Sequence, residues 1–316
     1  MGALDGRSVV VTGGGRGIGR AIALLAAAEG ASVVVADTGA EADGTGANPA
    51  IADAVVEQIK ASGGNAVATH SDVSLLEGGE EPIKAALEAF GKIDGLVNAA
   101  GIRRDTPIWE MTEEDWDVVI RGNVKAQFVP SKFASIAMRQ NRYGRIVSLI
   151  NDAGLGAVGA SNFAAAGEGA LGFNRTLARD LGRYGVTANA ISPLARTRMF
   201  GGYSEDLRPP AGVLSANDVA RIGRPTPMFQ WEDTGHPDDP ESVAPLAVYL
   251  LSEGAGDING QCFGVRGGDI YLYSNPTIDR QILSYGRRFT MDEMDEQMPR
   301  TLALGVPSPV EAAHHH

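Results

Sequence analysis

A run of valines and a glycine-rich turn near the amino terminus leave this chain few ways to fold. Val9-Val10-Val11-Thr12 reads as a short buried strand, Gly13-Gly14-Gly15-Arg16 as a turn, and Gly17-Ile18-Gly19 as the start of a helix running to about Glu29. Gly13, Gly17 and Gly19 allow positive φ and a close approach of backbone to a ligand. The helix then aims free N–H groups and its dipole at that ligand, and a pyrophosphate suits the place. A second strand, Ser32 to Ala36, ends in Asp37, where a carboxylate meets the hydroxyls of an adenosine ribose. The glycine spacing differs from the common G-x-G-x-x-G form, but strand, turn, helix, strand and acid together predict a dinucleotide-binding unit.

The rest of the chain continues the alternation. A glycine-rich polar loop covers Thr38 to Asn48, and Pro49 opens a helix through Ser62 that Gly63-Gly64 stops. Asn65 to His70 reads as a third strand, followed by Asp72-Val73. A helix over Gly79 to Phe90 leads to the apolar run Ile93 to Val97 and then to Asn98-Ala99-Ala100-Gly101. Trp116 to Gln140 carries apolar residues at helical spacing, Arg145 to Ile150 reads as a strand, and Phe163 to Tyr184 as a helix. Thr187 to Ile191 and Gln261 to Arg266 read as the sixth and seventh strands. The expected class is α/β: a Rossmann-type, doubly wound parallel sheet with helices on both faces and ligands beyond the carboxyl ends of the strands. One domain is expected over residues 1–270, with a lid over the substrate site at Met199 to Asp239, rich in Gly, Pro and polar residues. Residues 271–313 form a C-terminal extension with one helix from Met291 to Leu304, and His314 to His316 read as tag residues.

A chain of 316 residues, 44% of them hydrophobic, can bury one large core. Its net charge of −12 argues against nucleic acid or an anionic membrane as partner and mildly favours a cationic small-molecule substrate. A single cysteine, Cys262, rules out an intrachain disulfide, and no metal cluster is expected. With no basic-then-apolar leader and no apolar run of membrane-spanning length, a cytoplasmic protein is expected.

Taken together, Thr12-Gly13, Gly17-Ile18-Gly19, Asp72-Val73, Asn98-Ala99-Ala100-Gly101 and Asn123 resemble the short-chain dehydrogenase/reductase family over about residues 4 to 268. Within it, the look is closest to the (3R)-hydroxyacyl-CoA dehydrogenase module of multifunctional β-oxidation enzymes. That likeness rests on the loop after Asp37, Gly101-Ile102-Arg103-Arg104-Asp105, Glu114-Asp115-Trp116-Asp117, Tyr143 to Val147 and Val265-Arg266-Gly267-Gly268. The resemblance implies that Asp72 contacts adenine, that Asn98 supports the cofactor-binding strand, and that the chain forms a homodimer or homotetramer through its long helices. The cofactor is NAD or NADP: Asp37 favours NAD, and Arg16 could pair with the extra phosphate of NADP. The family's proline-glycine after the sixth strand stands here as Pro193-Leu194, which makes Pro193 a candidate on the nicotinamide side.

The resemblance breaks at the chemistry. The family uses a tyrosine as proton donor, a lysine one helical turn on, an upstream serine and a supporting asparagine. Aligning Gly156, Gly159 and Phe163 with the family pattern puts Phe163 at the tyrosine, Gly167 at the lysine and, with a one-residue gap, Asn151 at the serine. Asn123 alone keeps the family's residue, and no Tyr-x-x-x-Lys occurs anywhere in the chain. Loss of a positioned general acid costs about 10²–10⁴ in rate.

One substrate class tolerates that loss. An imine protonated in solution accepts hydride without a proton at the moment of transfer. For such a substrate, Asp152 and Glu168 are the candidate carboxylates, Asn151 a hydrogen-bonding group, and Phe163 an aromatic face for a cation. The alternatives are an isomerase, cyclase or dehydratase that retains its cofactor, and a nucleotide-binding pseudoenzyme. Asp152 as a turn cap, Glu168 as a solvent-facing residue, and Asn123 bonded only to backbone where the long helix kinks are the competing structural readings.

Overall fold

The computed structural model describes residues 2–200, 235–236, 238–267 and 269–306. Most of the expected lid, with Tyr203 and Trp231 in it, lies outside the described residues, as do Gly268 and the chain from 307 onward. The strands are β1 (Ser8–Thr12), β2 (Ser32–Ala36), β3 (Asn65–Thr69), β4 (Gly95–Asn98), β5 (Gly144–Leu149), β6 (Val186–Leu194), β7 (Cys262–Arg266) and β8 (Asp269–Leu272). They form one sheet in the order β3-β2-β1-β4-β5-β6-β7-β8. The first seven are parallel, and β8 returns antiparallel along β7 with Phe263 opposite Leu272.

Helices α1 (Gly17–Ala28), α2 (Ala50–Ala61) and α7 (Ala244–Leu251) supply one of the two cores, and α3 (Leu76–Phe90), α5 (Ala126–Asn141) and α6 (Ser161–Gly182) the other. Val9, Val11, Val33 and Val35 face the first core, and Val10 and Val34 the second. The unbroken valine runs therefore mark strands buried on both faces.

Several elements differ from the sequence expectation, each for a local reason. α3 starts at Leu76, and Gly79 lies inside it at a close helix contact, where a Cβ would lie 2.5 Å from Val129 Cγ1. The helix expected over Trp116 to Gln140 is α4 (Glu113–Ile120), a π-helical turn at Arg121–Lys125, and α5. Thr112 and Asp115 start α4 with a reciprocal capping box. Asn123 Nδ2 donates to Val119 O at 2.8 Å, taking the carbonyl that a regular ladder would offer to the Asn123 main chain, and the helix widens there.

α7 lacks an alternating polar face, being buried along most of its length, and was not anticipated. β8 was not anticipated either, although Gly267-Gly268 is a hairpin signal in the sequence and Gly267 has φ +58°. The first compact unit ends at Tyr273, just past the expected boundary, and residues 274–306 belong to a second. In that second unit α8 (Met291–Gln297) begins with a Thr290–Glu293 capping box and ends well short of Leu304, because Pro299 interrupts the ladder.

Candidate active site

The carboxyl ends of β1, β2, β4 and β5 open onto a cleft of about 650 Å³. Its floor is backbone packed on backbone. Gly13 has φ +63°, and a Cβ there would lie 2.6 Å from Ala99 O; a Cβ on Gly19 would lie 2.1 Å from Gly13 O. Arg16 occupies the N-cap of α1 without capping it by its side chain, and Gly17, Ile18 and Gly19 of the first turn line the cleft.

Asp37 lines the cleft at the end of β2, and its carboxylate accepts from Gly15 N at 2.9 Å and Gly39 N at 2.7 Å. It therefore ties the glycine turn to the following loop. Asp72, Val73, Ala99, Ala100 and Gly101 also line the cleft. Asn98 lies under it, fully buried, and donates to Ser131 Oγ at 3.0 Å and Ser148 Oγ at 3.3 Å, bracing β4 against its neighbours.

Pro193 sits within β6 opposite Val265 and is not among the residues lining the cleft; Thr197, Arg198 and Met199, four to six residues further on, reach its wall. Arg16 Nη1 and Arg198 Nη2 donate to the same carbonyl oxygen, that of Ala40, at 3.0 and 2.8 Å. Burial and then the neighbouring Arg16 lower the Arg198 guanidinium below the ordinary arginine range. Nothing in the sequence tied Arg198 to this loop. The glycine floor that any Cβ would fill, the helix N-terminus and Asp37 together fit a nicotinamide dinucleotide.

Three of the residues aligned with the family's catalytic positions, Asn151, Phe163 and Gly167, lie between β5 and α6 or in the first two turns of α6. The Asn151 carboxamide donates to Phe163 O at 3.1 Å and accepts from Ala153 N at 3.1 Å, so both of its ends hold backbone. A Cβ on Gly167 would lie 2.6 Å from Asn151 Oδ1 and 2.7 Å from Nδ2. Asn151 therefore fills the space into which a side chain at position 167 would have to grow. Asn123 adds a second bond, to Ile102 O at 2.8 Å, so its amide is spent on the π-turn and the strand-to-loop junction.

Other candidates also differ from the cation-site expectation. Asp152 makes an ion pair with Arg266 at 2.7 Å, and although it stands at the N-cap of the turn Ala153–Leu155 its side chain makes no cap bond there. Glu168 is exposed, with its stem against Gly154. The Phe163 ring, expected to offer its face to a substrate cation, already carries the Arg103 guanidinium, 5.0 Å from the ring centroid. Arg103 is itself gripped by Asp105: Nε lies 3.0 and 2.8 Å from the two carboxylate oxygens, and Nη2 lies 2.8 Å from one of them.

Two phenols missed in the sequence, Tyr271 and Tyr273 of the β8 region, stand with ring centroids 5.4 Å apart beside the Asp152–Arg266 pair. Burial pushes the Tyr273 hydroxyl up, and its bond to Tyr271 adds to the rise. His236 is exposed, and its Nδ1 accepts from Asp238 N at 3.1 Å.

A glycine-floored cleft at the carboxyl ends of a mostly parallel, helix-covered sheet defines a Rossmann-type scaffold. Residues 7–207 match the family model for short chain dehydrogenases. A hydroxyacyl-CoA dehydrogenase of Mycobacterium tuberculosis is 34% identical over 304 residues, covering 92% of this chain and 87% of that one. The peroxisomal hydratase-dehydrogenase-epimerase of Neurospora crassa is 37% identical over 267 residues, covering 84% of this chain but 27% of that longer protein. A crystal structure of a short chain dehydrogenase from Mycobacterium avium superposes with a TM-score of 0.79 at 37% identity, covering 97% of this chain and 98% of that one. The chain belongs to the short-chain dehydrogenase family and is an oxidoreductase of that type. No described helix is long and apolar enough to cross a membrane.

Proposed function

We propose that this protein is a nicotinamide-dependent reductase that works without a tyrosine–lysine pair and reduces a C=N bond. The observation that carries the reading is the contact between Asn151 and Gly167. The lysine position is a glycine, and its side-chain space is filled by an amide whose two ends hold backbone, so the rearrangement goes deeper than one missing phenol. A bound dinucleotide would supply hydride. The Gly13 to Gly19 turn would hold its phosphates, Asp37 would face its ribose and Asp72 its adenine, and Ala99 to Gly101 would wall the cleft. Asp37 favours NAD; Arg16 and Arg198 are the cations that an NADP phosphate would meet. A substrate nitrogen that arrives already protonated needs no proton from residue 163, where Phe163 has none to give. The same reading includes a homodimer or homotetramer through α4 to α6, where Trp116 and Phe128 are 39% and 42% exposed.

The names of the relatives favour a second reading, in which a carbonyl is reduced; Tyr273 and Tyr271, paired beside Asp152 and Arg266, are the phenols that such a reading would test. Assay with 1-pyrroline and cyclopentanone separates the two. The C=N reading expects NADH or NADPH consumption with the imine only, at a rate that falls as pH rises above the iminium pKa of the substrate. Ketone turnover abolished by Tyr273→Phe would establish the second reading instead. Conversion of substrate without loss of reduced cofactor would point to non-redox chemistry.

A further inference from the structure

Two loops spring from the residues that stand at the family's catalytic positions. Asn151 Nδ2 donates to Phe163 O at 3.1 Å and closes residues 151–163 into one loop. Asn162 Nδ2 donates to Arg104 O at 2.8 Å, which starts the second loop, residues 104–111, beside Phe163. The two run side by side: Thr106 N donates to Gly159 O at 2.7 Å, and Ser161 Oγ lies 3.6 Å from Met111 Sδ. Residues 153–161 carry no charge and only Ser161 is polar among them, in a chain with 21% charged residues. Such a composition suits a buried segment, yet Leu155 is 74% and Val158 46% exposed. Across the Thr106–Gly159 bond, Ile108 is 64% and Trp109 80% exposed. The indole N–H of Trp109 is taken by Glu110 at 3.2 Å, while its ring stays open to solvent.

We propose that Ile108, Trp109, Leu155 and Val158 form a specificity surface for an apolar part of the substrate, which makes the substrate class an imine bearing an extended hydrocarbon substituent. This rests on the C=N reading for the reaction but concerns binding alone. Single exposed apolar side chains are ordinary on a protein surface, whereas several large ones on two joined loops mark a place where something apolar binds. Position identifies the occupant. Leu155 stands four residues past Asn151 and Val158 five before Phe163, so the surface is continuous with the residues at the family's catalytic positions. A protein interface surrounds its apolar centre with a polar rim, and residues 153–160 offer no polar side chain to build one. A substrate needs no such rim, because its reacting end is held elsewhere and its hydrocarbon has only to leave water.

The test is calorimetric titration of the protein, with reduced dinucleotide present, using 2-methylpyrrolidine and 2-hexylpyrrolidine as saturated probes. A fully covered methylene adds about fourfold in affinity, so five extra methylenes lying half covered on an open surface are expected to give at least about tenfold. Trp109→Ser with Leu155→Ser is expected to cut that preference to about threefold or less, and Trp109→Phe to keep most of it. Both side chains already stand largely in water, so the double variant is expected to keep the Tm of wild type. Equal binding of the two probes, binding of neither, or a preference that survives the double variant would overturn the surface. So would a double variant that changes the oligomeric state in sedimentation, since a second copy of the chain would then be what covers these loops. Failure to oxidise NADH with 2-hexyl-1-pyrroline, alongside a preference that depends on Trp109 and Leu155, would overturn the C=N reading and leave the surface standing.

Discussion

The two halves of the cleft are built by opposite means. On the cofactor side, from β1 through α1 to the end of β2, side chains are removed so that backbone can approach backbone, as at Gly13 and Gly19. On the reaction side, between β5 and α6, space is filled: the Asn151 carboxamide occupies the approach to Gly167, and the Arg103 guanidinium covers the Phe163 ring. The first half accommodates one ligand shape through main-chain geometry. The second depends on a few side chains bonded to one another, so single substitutions there are coupled to their neighbours in a way that those in the turn are not.

The largest effect is expected where the floor is tightest. Gly19→Ala places a Cβ 2.1 Å from Gly13 O, and backbone cannot swing aside as a side chain can. Dinucleotide affinity, read by quenching of protein fluorescence, is expected to fall by about a hundredfold or more, equivalent to about 3 kcal/mol. Retention of wild-type affinity would show that the turn is not the phosphate site.

Restoring the family's residues sharpens the other half. Phe163→Tyr with Gly167→Lys is expected to gain no ketone reduction and to lower Tm, because the new Cβ is overpacked against Asn151, at about 1–3 kcal/mol. Adding Asn151→Ser removes the obstruction, and the triple variant is expected to recover the stability lost by the double. A double variant as stable as wild type would mean that Asn151 moves readily and the two positions are not coupled.

The same contrast explains what could be read in the sequence. The β1–α1–β2 half was legible because its function lies in glycine spacing and in a valine run, both of which survive as letters. Asn98 and Asp37 were legible in place, but their bonds were not: that Asp37 ties Gly15 to Gly39 depends on the path of a loop. The reaction half was legible only as absences at Phe163 and Gly167. What stands there instead, Asn151 turned into the vacated space and Arg103 laid on an aromatic ring, depends on side-chain rotamers and on chain segments far apart in sequence. The π-turn at Arg121–Lys125 was hidden for a related reason, since helical periodicity over Trp116 to Gln140 does not register one side-chain amide capturing one carbonyl. α7 was hidden because periodicity is informative only for a helix with one wet face.

The smallest expected effect discriminates most directly between a cation-binding pocket and the filled site seen here. If Asp152 were the counterion of a substrate iminium, Asp152→Asn would raise KM sharply. In the structure its carboxylate faces Arg266, and both side chains are partly open to solvent, at 38% and 26% exposure. Breaking so wet a pair is expected to cost less than about 1 kcal/mol in stability. KM for a cyclic imine is expected to stay within about twofold of wild type, since the charge removed serves a neighbouring arginine and not the ligand. A tenfold rise in KM with unchanged Tm would place Asp152 against the substrate and return the negative charge to the pocket.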